Sequence, residues 1–292
     1  MPNSRTTKPR RDRGWALASV LWAVTMLSLM AAATEELTLT QHRTEHRAWE
    51  RAFADTIFRE GLTKAVAGIA ASSLEDRWPV DGRVTELKIQ GVTVKFEVQN
   101  EAGRYDLNAI DGSVLNVLLR DAGLAPDAIT RLADTILDWR SLTGAHYVNA
   151  ASDQDYTAAG LPYGPRHAPF ESVDELRLVL GMSSSLYEHL RPALTVYTKR
   201  PAIEPEFAPE AALIAFCNGN RDQAERMLDA RNESNLASKG SKSGKLTSGM
   251  SASGQVFEIS QTLQVSGHSY HKTNVLQYTG NGRSPYLLLM SN

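Results

Sequence analysis

Apolar and polar residues are distributed unevenly over the first quarter of the chain. Residues 15–34 carry no charge and are mostly Leu, Val, Ala, Met and Trp, whereas apolar residues after residue 47 recur at helical spacing. Between residues 15 and 78 there is no proline, and only two glycines occur. This pattern predicts one long helix over residues 15–75, apolar in its first half and amphipathic in its second.

Alternation of apolar and polar residues predicts strands in two separate parts of the chain. Residues 84–99 have the pattern of a β-hairpin with its turn at Gln90 and Gly91. The apolar face of this hairpin contains Val92, Val94, Phe96 and Val98. We expect this face to pack on the second half of the long helix. Residues 255–265, 269–279 and 284–290 predict an antiparallel meander that completes the same sheet.

Helical patterns occupy the region between these two groups of strands. The predicted helices cover residues 113–122, 126–139, 172–190, 209–216 and 221–231, with a short strand at 193–197. Residues 232–254 are rich in Ser, Gly and Lys, which predicts a flexible loop. The sequence therefore predicts an α+β fold in which an α-helical domain (112–192) is inserted into a sheet formed by residues 76–111 and 193–292.

Charge is also distributed unevenly. Residues 1–14 contain five basic side chains and one acidic one, so the rest of the chain is net acidic. A net acidic body argues against nonspecific binding of nucleic acid, which depends on basic side chains. The uncharged segment is about 20 residues long, which is the length needed to cross a bilayer. The basic residues before it predict a cytoplasmic N-terminus and a body in the opposite compartment.

Three interpretations of the N-terminal segment remain open. Residues 31–33 (Ala-Ala-Ala) offer a site of the kind at which a secretory signal is cleaved. The segment is also suited to a plain membrane anchor. The third interpretation is a prepilin leader over residues 1–14, and the unbroken helical pattern beyond residue 34 favours it over a cleaved signal.

The residues around Gly14 resemble a prepilin peptidase site. Arg11-Asp12-Arg13-Gly14 is followed directly by the uncharged segment, and cleavage after Gly14 would make Trp15 the first mature residue. Most pilins carry a glutamate at the fifth mature position, where this chain has Ser19. In this respect the chain is similar to the K-type minor pseudopilins of the type II secretion system.

Several segments of the body also resemble the K-type family, in the same order and with similar spacing. They are Glu101–Asn108 (EAGRYDLN), Asp138–Arg140 (DWR), Ala158–Pro165 (AAGLPYGP), Pro169–Leu176 (PFESVDEL), Leu178–Met182 (LVLGM), Leu194–Tyr197 (LTVY) and Ala208–Glu210 (APE). The resemblance implies a type IV pilin-like fold and a protein that is not an enzyme. It implies a single-pass subunit of the bacterial inner membrane, with a periplasmic body, that initiates and caps the tip of the pseudopilus.

The resemblance also implies partners. These are the prepilin peptidase, the inner-membrane assembly platform and the other minor pseudopilins, of the I, J and H types. The alternative function is a bitopic, membrane-anchored periplasmic binding protein with a helix-hairpin-helix-like domain that recognises nucleic acid or a substrate. Its turns would be residues 180–182 and 217–220, but acidic side chains surround them and no basic patch is present. Structural hairpins explain these glycines equally well.

Candidate metal ligands are few. The resemblance implies calcium bound by acidic residues in the loop after the DW motif, for which Asp138, Asp153 and Asp155 are the candidates. This set of calcium ligands is incomplete compared with the family it resembles. Residues 141–144, just after the DW motif, read Ser-Leu-Thr-Gly where the resemblance would imply further aspartates. His42 and His46 match an H-x-x-E-H pattern, but no third zinc ligand is evident and a solvated helix face explains them.

No catalytic constellation is predicted. The single cysteine, Cys217, has no histidine partner suggested by the sequence, and the chain lacks a G-x-S-x-G motif and a phosphate-binding glycine loop.

Overall fold

A computed structural model describes residues 12–71, 73, 76–142, 147–240 and 253–292, excluding the side chains of residues 12–14, 16, 31–46 and 235–240. The chain divides into two compact units, Met1–Thr56 and Ile57–Asn292. The predicted leader, apart from residues 12–14, lies outside the described residues.

The first helix, α1, is continuous from Asp12 to Ala70. It confirms the long helix predicted from the sequence, although it ends before residue 75. After α1 the chain returns towards the helix, and the backbone amide of Trp78 donates to the carbonyl of Gly68 at 3.1 Å. A Cβ atom on Gly68 would overlap the indole of Trp78, so the missing side chain is what allows this close return.

The strands in the described residues form one large and one small sheet. The strands are β1 (Asp81–Ile89), β2 (Val92–Asn100), β3 (Tyr105–Asp106), β4 (Leu194–Thr195), β5 (Val256–Val265), β6 (His268–Asn281) and β7 (Ser284–Ser291). The large sheet has the order β1-β2-β5-β6-β7 and every pair in it is antiparallel. The small sheet pairs β3 with β4 in parallel. The predicted hairpin and meander are confirmed, and both belong to the same sheet.

The C-terminal part of α1 packs on one face of the large sheet. Phe96 is fully buried on β2, and its ring lies edge-on to Trp78 with centroids 4.9 Å apart. A Cβ on Gly61 of α1 would come within 3.0 Å of the Phe96 ring, so helix and sheet approach closely at this point. Burial of one such aromatic side chain contributes about 1.5–3 kcal/mol. The predicted packing of helix on sheet is therefore confirmed.

The described residues between 101 and 240, which we call the helical body, contain the remaining helices. These are α2 (Gly112–Asp121), α3 (Pro126–Trp139), α4 (Asp153–Ala158), α5 (Ser184–Leu190), α6 (Glu210–Phe216) and α7 (Arg221–Gly240). Three short 3₁₀ helices lie among them, at Glu101–Gly103, Val173–Leu178 and Arg191–Ala193. One hydrophobic core, which extends from Tyr105 to Ala224, joins these elements. The core thus reaches beyond the predicted range 112–192.

Two sequence predictions in the helical body are wrong. Residues 172–190 are not one helix, because the 3₁₀ helix and α5 each begin at a serine cap, Ser172 and Ser183, and Gly181 between them has a φ of +95°. The predicted loop 232–254 is also wrong in its first part, since α7 continues to Gly240. No glycine or proline interrupts α7 before that residue. Residues 241–252 lie outside the described residues.

Candidate functional site

The predicted processing site lies at the beginning of α1. Gly14, Trp15 and Ser19 are all in this helix, and the side chain of Trp15 is exposed. The large apolar side chains that follow are exposed as well: Leu17, Val20, Leu21, Trp22, Val24, Met26, Leu27, Leu29 and Met30. A search restricted to the described residues found no helix with the length and apolarity that crossing a membrane requires. The side chains of residues 31–34, the end of the predicted span, lie outside them.

The three candidate calcium ligands have different surroundings. Asp138 is buried at the end of α3, with one carboxylate oxygen 3.7 Å from Nδ1 of His167. Asp153 and Asp155 lie in the first turn of α4, where Asp155 is already engaged. One of its oxygens accepts from the backbone N–H and the hydroxyl of Ser152, both at 2.8 Å, and the other lies 3.4 Å from Arg131. The bonds from Ser152 hold the pKa of Asp155 below its ordinary value.

These contacts do not assemble a metal site. Among the described residues no group of three His, Cys, Asp or Glu side chains is arranged to hold a metal ion. Asp155 serves the capping box of α4, which is a structural role. Residues 143–146, in the same loop as Ser141, lie outside the description. The calcium site therefore stays a prediction from the resemblance.

The remaining sequence candidates have structural surroundings. Gly181 and Gly219 have positive φ angles of 95° and 87° in the turns before α5 and α7, as expected of residues that end helices. Cys217 is buried, with its sulfur 3.7 Å from that of Met227. The side chains of His42 and His46 lie outside the described residues.

A buried charged cluster, which sequence reasoning missed, lies where the large sheet meets the helical body. We call Glu101, Arg104, Arg191 and Glu258 the junction cluster. Arg104 donates to Glu101 Oε1 at 2.9 Å and to Glu258 Oε1 at 3.1 Å, and Arg191 lies 3.9 Å from Glu258 Oε2. Glu101 and Arg104 belong to the EAGRYDLN segment, but only the fold brings Glu258 of β5 to them.

The two carboxylates of the junction cluster differ in their proton affinity. Burial raises the pKa of Glu101 to about 7, because the charge of Arg104 only partly offsets desolvation and Glu258 repels a second negative charge. Burial opposes ionisation of Glu258 too. For this residue the charges of Arg104 and Arg191 and the Arg104 hydrogen bond together prevail, so the pKa of Glu258 lies below its ordinary value.

The two edge strands of the large sheet have opposite character. β1 exposes charged side chains, Arg83, Glu86 and Lys88, which discourage pairing with another strand. β7 carries no charge at all and exposes three consecutive leucines, 287–289. Charge thus protects the β1 edge of the sheet against pairing with another strand, whereas the β7 edge is apolar.

Comparisons with known proteins find similarity to one family. Residues 95–199 match the family model described as "Type II secretion system (T2SS), protein K". The type II secretion system protein K of Klebsiella pneumoniae is 23% identical over 248 residues, which cover 76% of each chain. That of Pseudomonas aeruginosa is 24% identical over 254 residues, covering 79% of this chain and 75% of the relative.

A solved structure has the same fold. It is a chain of the crystal structure of the GspK-GspI-GspJ complex from the type 2 secretion system of enterotoxigenic Escherichia coli, with a TM-score of 0.57 and 14% identity. The match covers 87% of this chain and 98% of that chain. The resemblance to the K-type family is confirmed, and the alternative of an anchored binding protein is not favoured.

Proposed function

We propose that this chain is a K-type minor pseudopilin of a type II secretion system, and that it initiates and caps the tip of the periplasmic pseudopilus. The observation that carries the proposal is the packing of the C-terminal part of α1, after residue 57, on an antiparallel sheet. In the sequence, the helical body comes between β2 and β5, two strands that pair with each other in that sheet. A long helix on a sheet is the architecture expected of a type IV pilin-like subunit, and the helical body is the addition expected of the K type.

The position of the helical body in the chain supports placement of this subunit at the tip of the pseudopilus. β2 and β5 pair along seven residue positions, and the side chain of Asn100 donates to that of Gln255 at 3.0 Å, although 155 positions separate them in the chain. Both ends of the helical body therefore connect to neighbouring strands of the sheet. A shaft that repeats such a subunit would have to accommodate this bulk at every step, whereas the tip has to accommodate it once.

The N-terminal segment supports the part of the proposal in which the subunit is processed and assembled at the inner membrane. The prepilin peptidase would cleave between Gly14 and Trp15, and the apolar part of α1 would remain in the inner membrane with the body in the periplasm. Ser19 in place of a glutamate suits a subunit with no neighbour above it, because a carboxylate at that depth needs a positive partner. This role is assembly, not catalysis.

The first experiment concerns processing. Mass spectrometry of the mature N-terminus in the native host is expected to show a chain that begins at Trp15. Gly14→Leu is expected to abolish processing and secretion, whereas Asn3→Leu, in the same leader, retains both. A mature chain that starts at Thr34, or unchanged secretion with Gly14→Leu, contradicts the proposal and indicates a cleaved signal or a plain anchor.

The second experiment concerns partners. The full chain, purified in detergent with a tag at its C-terminus, is expected to co-purify with the I-type and J-type minor pseudopilins of the same system when the three are expressed together. The H type and the assembly platform are expected to be retained in crosslinked membranes. Absence of every minor pseudopilin from both preparations contradicts the assignment.

A further inference from the structure

The junction cluster connects the large sheet to the helical body. Glu101 follows β2 directly, Glu258 lies on β5, and Arg191 lies at the end of α5. The side chain of Glu101 is only 2% exposed, that of Arg104 11% and that of Glu258 14%. Charged groups buried to this degree contribute to stability only when their charges balance.

The surrounding groups do not fully balance two carboxylates. Arg104 is shared between Glu101 and Glu258, while Arg191 is half exposed and lies nearer to Glu258. The other groups facing the cluster are the hydroxyl of Thr195 on β4, the phenol of Tyr197, the carboxylate of Asp174 and, towards Glu258, the imidazole of His271 on β6. One buried cation therefore faces two buried carboxylates, so the second negative charge is poorly compensated.

We propose that the junction cluster is a proton-dependent latch: Glu101 is protonated when the helical body is firmly docked on the sheet, and its ionisation loosens the docking. The Arg104–Glu258 pair keeps its charges in both states. This device goes beyond the assignment to the secretion system, since it depends only on the fold of residues 57–292.

The direction of the pH dependence follows from the proton affinities. The pKa of Glu101 is raised from 4.5 to about 7, so its contribution to docking is complete below 4.5 and is lost as the pH rises through about 7. Glu258, whose pKa is lowered, contributes above its ordinary value of 4.5 and loses this contribution as the pH falls. The two contributions are therefore largest together near pH 4.5, and docking weakens as the pH rises from there towards 7 or falls below it.

Hydrogen exchange of the full chain in detergent micelles tests the latch. The backbone amide of Ala102, in the helical body beside Glu101, donates to the side-chain oxygen of Asn100 on β2 at 3.0 Å and so reports the contact between the helical body and the large sheet. Between pH 6 and pH 8 we expect its protection factor, corrected for intrinsic exchange, to fall about tenfold. In Glu101→Gln the protection factor is expected to stay constant. Glu86→Gln, on an exposed pair with Lys95, is the matched control and should follow the parent.

Parallel profiles for the parent and Glu101→Gln would overturn the proposal. A second measurement needs no variant: the ¹³C carboxyl resonance of Glu101 in the unaltered chain is expected to titrate near pH 7. If Glu101→Gln does not fold, this titration decides the question, because a midpoint in the ordinary range of exposed glutamates, near 4.3, excludes a protonated latch.

Discussion

Asn108 and Phe170 form a closed pair of hydrogen bonds across 62 positions of the chain. The side-chain amide of Asn108 donates to the carbonyl of Phe170 at 2.9 Å, and the backbone amide of Phe170 donates to the side-chain oxygen of Asn108 at 2.7 Å. The Asn108 side chain thus pairs with both backbone groups of Phe170, as a neighbouring β-strand would. Phe170 in turn stacks on Trp139, with ring centroids 6.3 Å apart, so the pair fixes one side of the aromatic core.

Removing the Asn108 amide should destabilise the helical body. In Asn108→Ala both backbone groups of Phe170 lose their partner, and we expect a loss of about 1–3 kcal/mol in the free energy of unfolding. Urea titration of the full chain in detergent, followed by tryptophan fluorescence, measures it. Asn149→Ala removes an exposed amide that bonds to Asp134 and should cost less than about 0.5 kcal/mol. Equal effects of the two substitutions would show that the paired bonds carry no special weight.

Replacing Gln261 should stabilise the protein. Gln261 is fully buried on β5 between the sheet and α1, and neither of its side-chain polar atoms has a hydrogen-bond partner. Because an unsatisfied buried amide costs free energy, Gln261→Leu should raise the free energy of unfolding by about 1 kcal/mol or more. The control is Gln264→Leu, at an exposed position of the same strand, which should give no gain. A destabilised Gln261→Leu protein would indicate that the amide has a partner in solution.

The sequence predicted the periodic parts of this fold well. The hairpin at Gln90 and Gly91 and the helix over residues 126–139 occur as predicted, because turn chemistry and apolar periodicity are local properties. The prediction of one helix over residues 172–190 is wrong because Ser183, which caps α5, cannot be told from an ordinary helical serine by its sequence alone. Nothing local indicates that Glu258 meets Arg104, since 154 positions separate them and the sheet brings them together. The processing site at Gly14, in contrast, is predicted from consecutive residues alone, and it stays a prediction.

Glu258→Gln should have the opposite pH dependence to Glu101→Gln. Above its ordinary pKa of 4.5, ionised Glu258 pairs with buried Arg104, so the substitution should cost about 3 kcal/mol at pH 7. Because the pKa of Glu258 is lower in the folded protein than in the unfolded chain, the parent loses this advantage as the pH falls below the ordinary pKa of 4.5. Urea midpoints measured from pH 7 down to pH 3 should therefore converge. Glu97→Gln, exposed on β2, should follow the parent; midpoints that stay equally separated at every pH would contradict the pairing.

Ser19→Glu tests the proposed place in the filament. A carboxylate in the apolar part of α1 needs a positive partner, and a subunit with nothing above it has none to offer. Secretion with Ser19→Glu at matched expression should equal or fall below that of the parent, while Ser19→Ala should preserve it. Clearly better secretion with Ser19→Glu would favour a position within the shaft.

The separation of β2 from β5 also sets the order in which the molecule can be completed. The hairpin of β1 and β2 is synthesised early, but the strand that pairs with it begins at Val256, after the whole helical body. Until that strand arrives, β2 keeps an unpaired edge beside the apolar side chains that α1 will cover. Contacts so distant along the chain form slowly. The interval between making the hairpin and closing the sheet is therefore when this protein is most exposed to mispairing, and when a protecting factor would help it most.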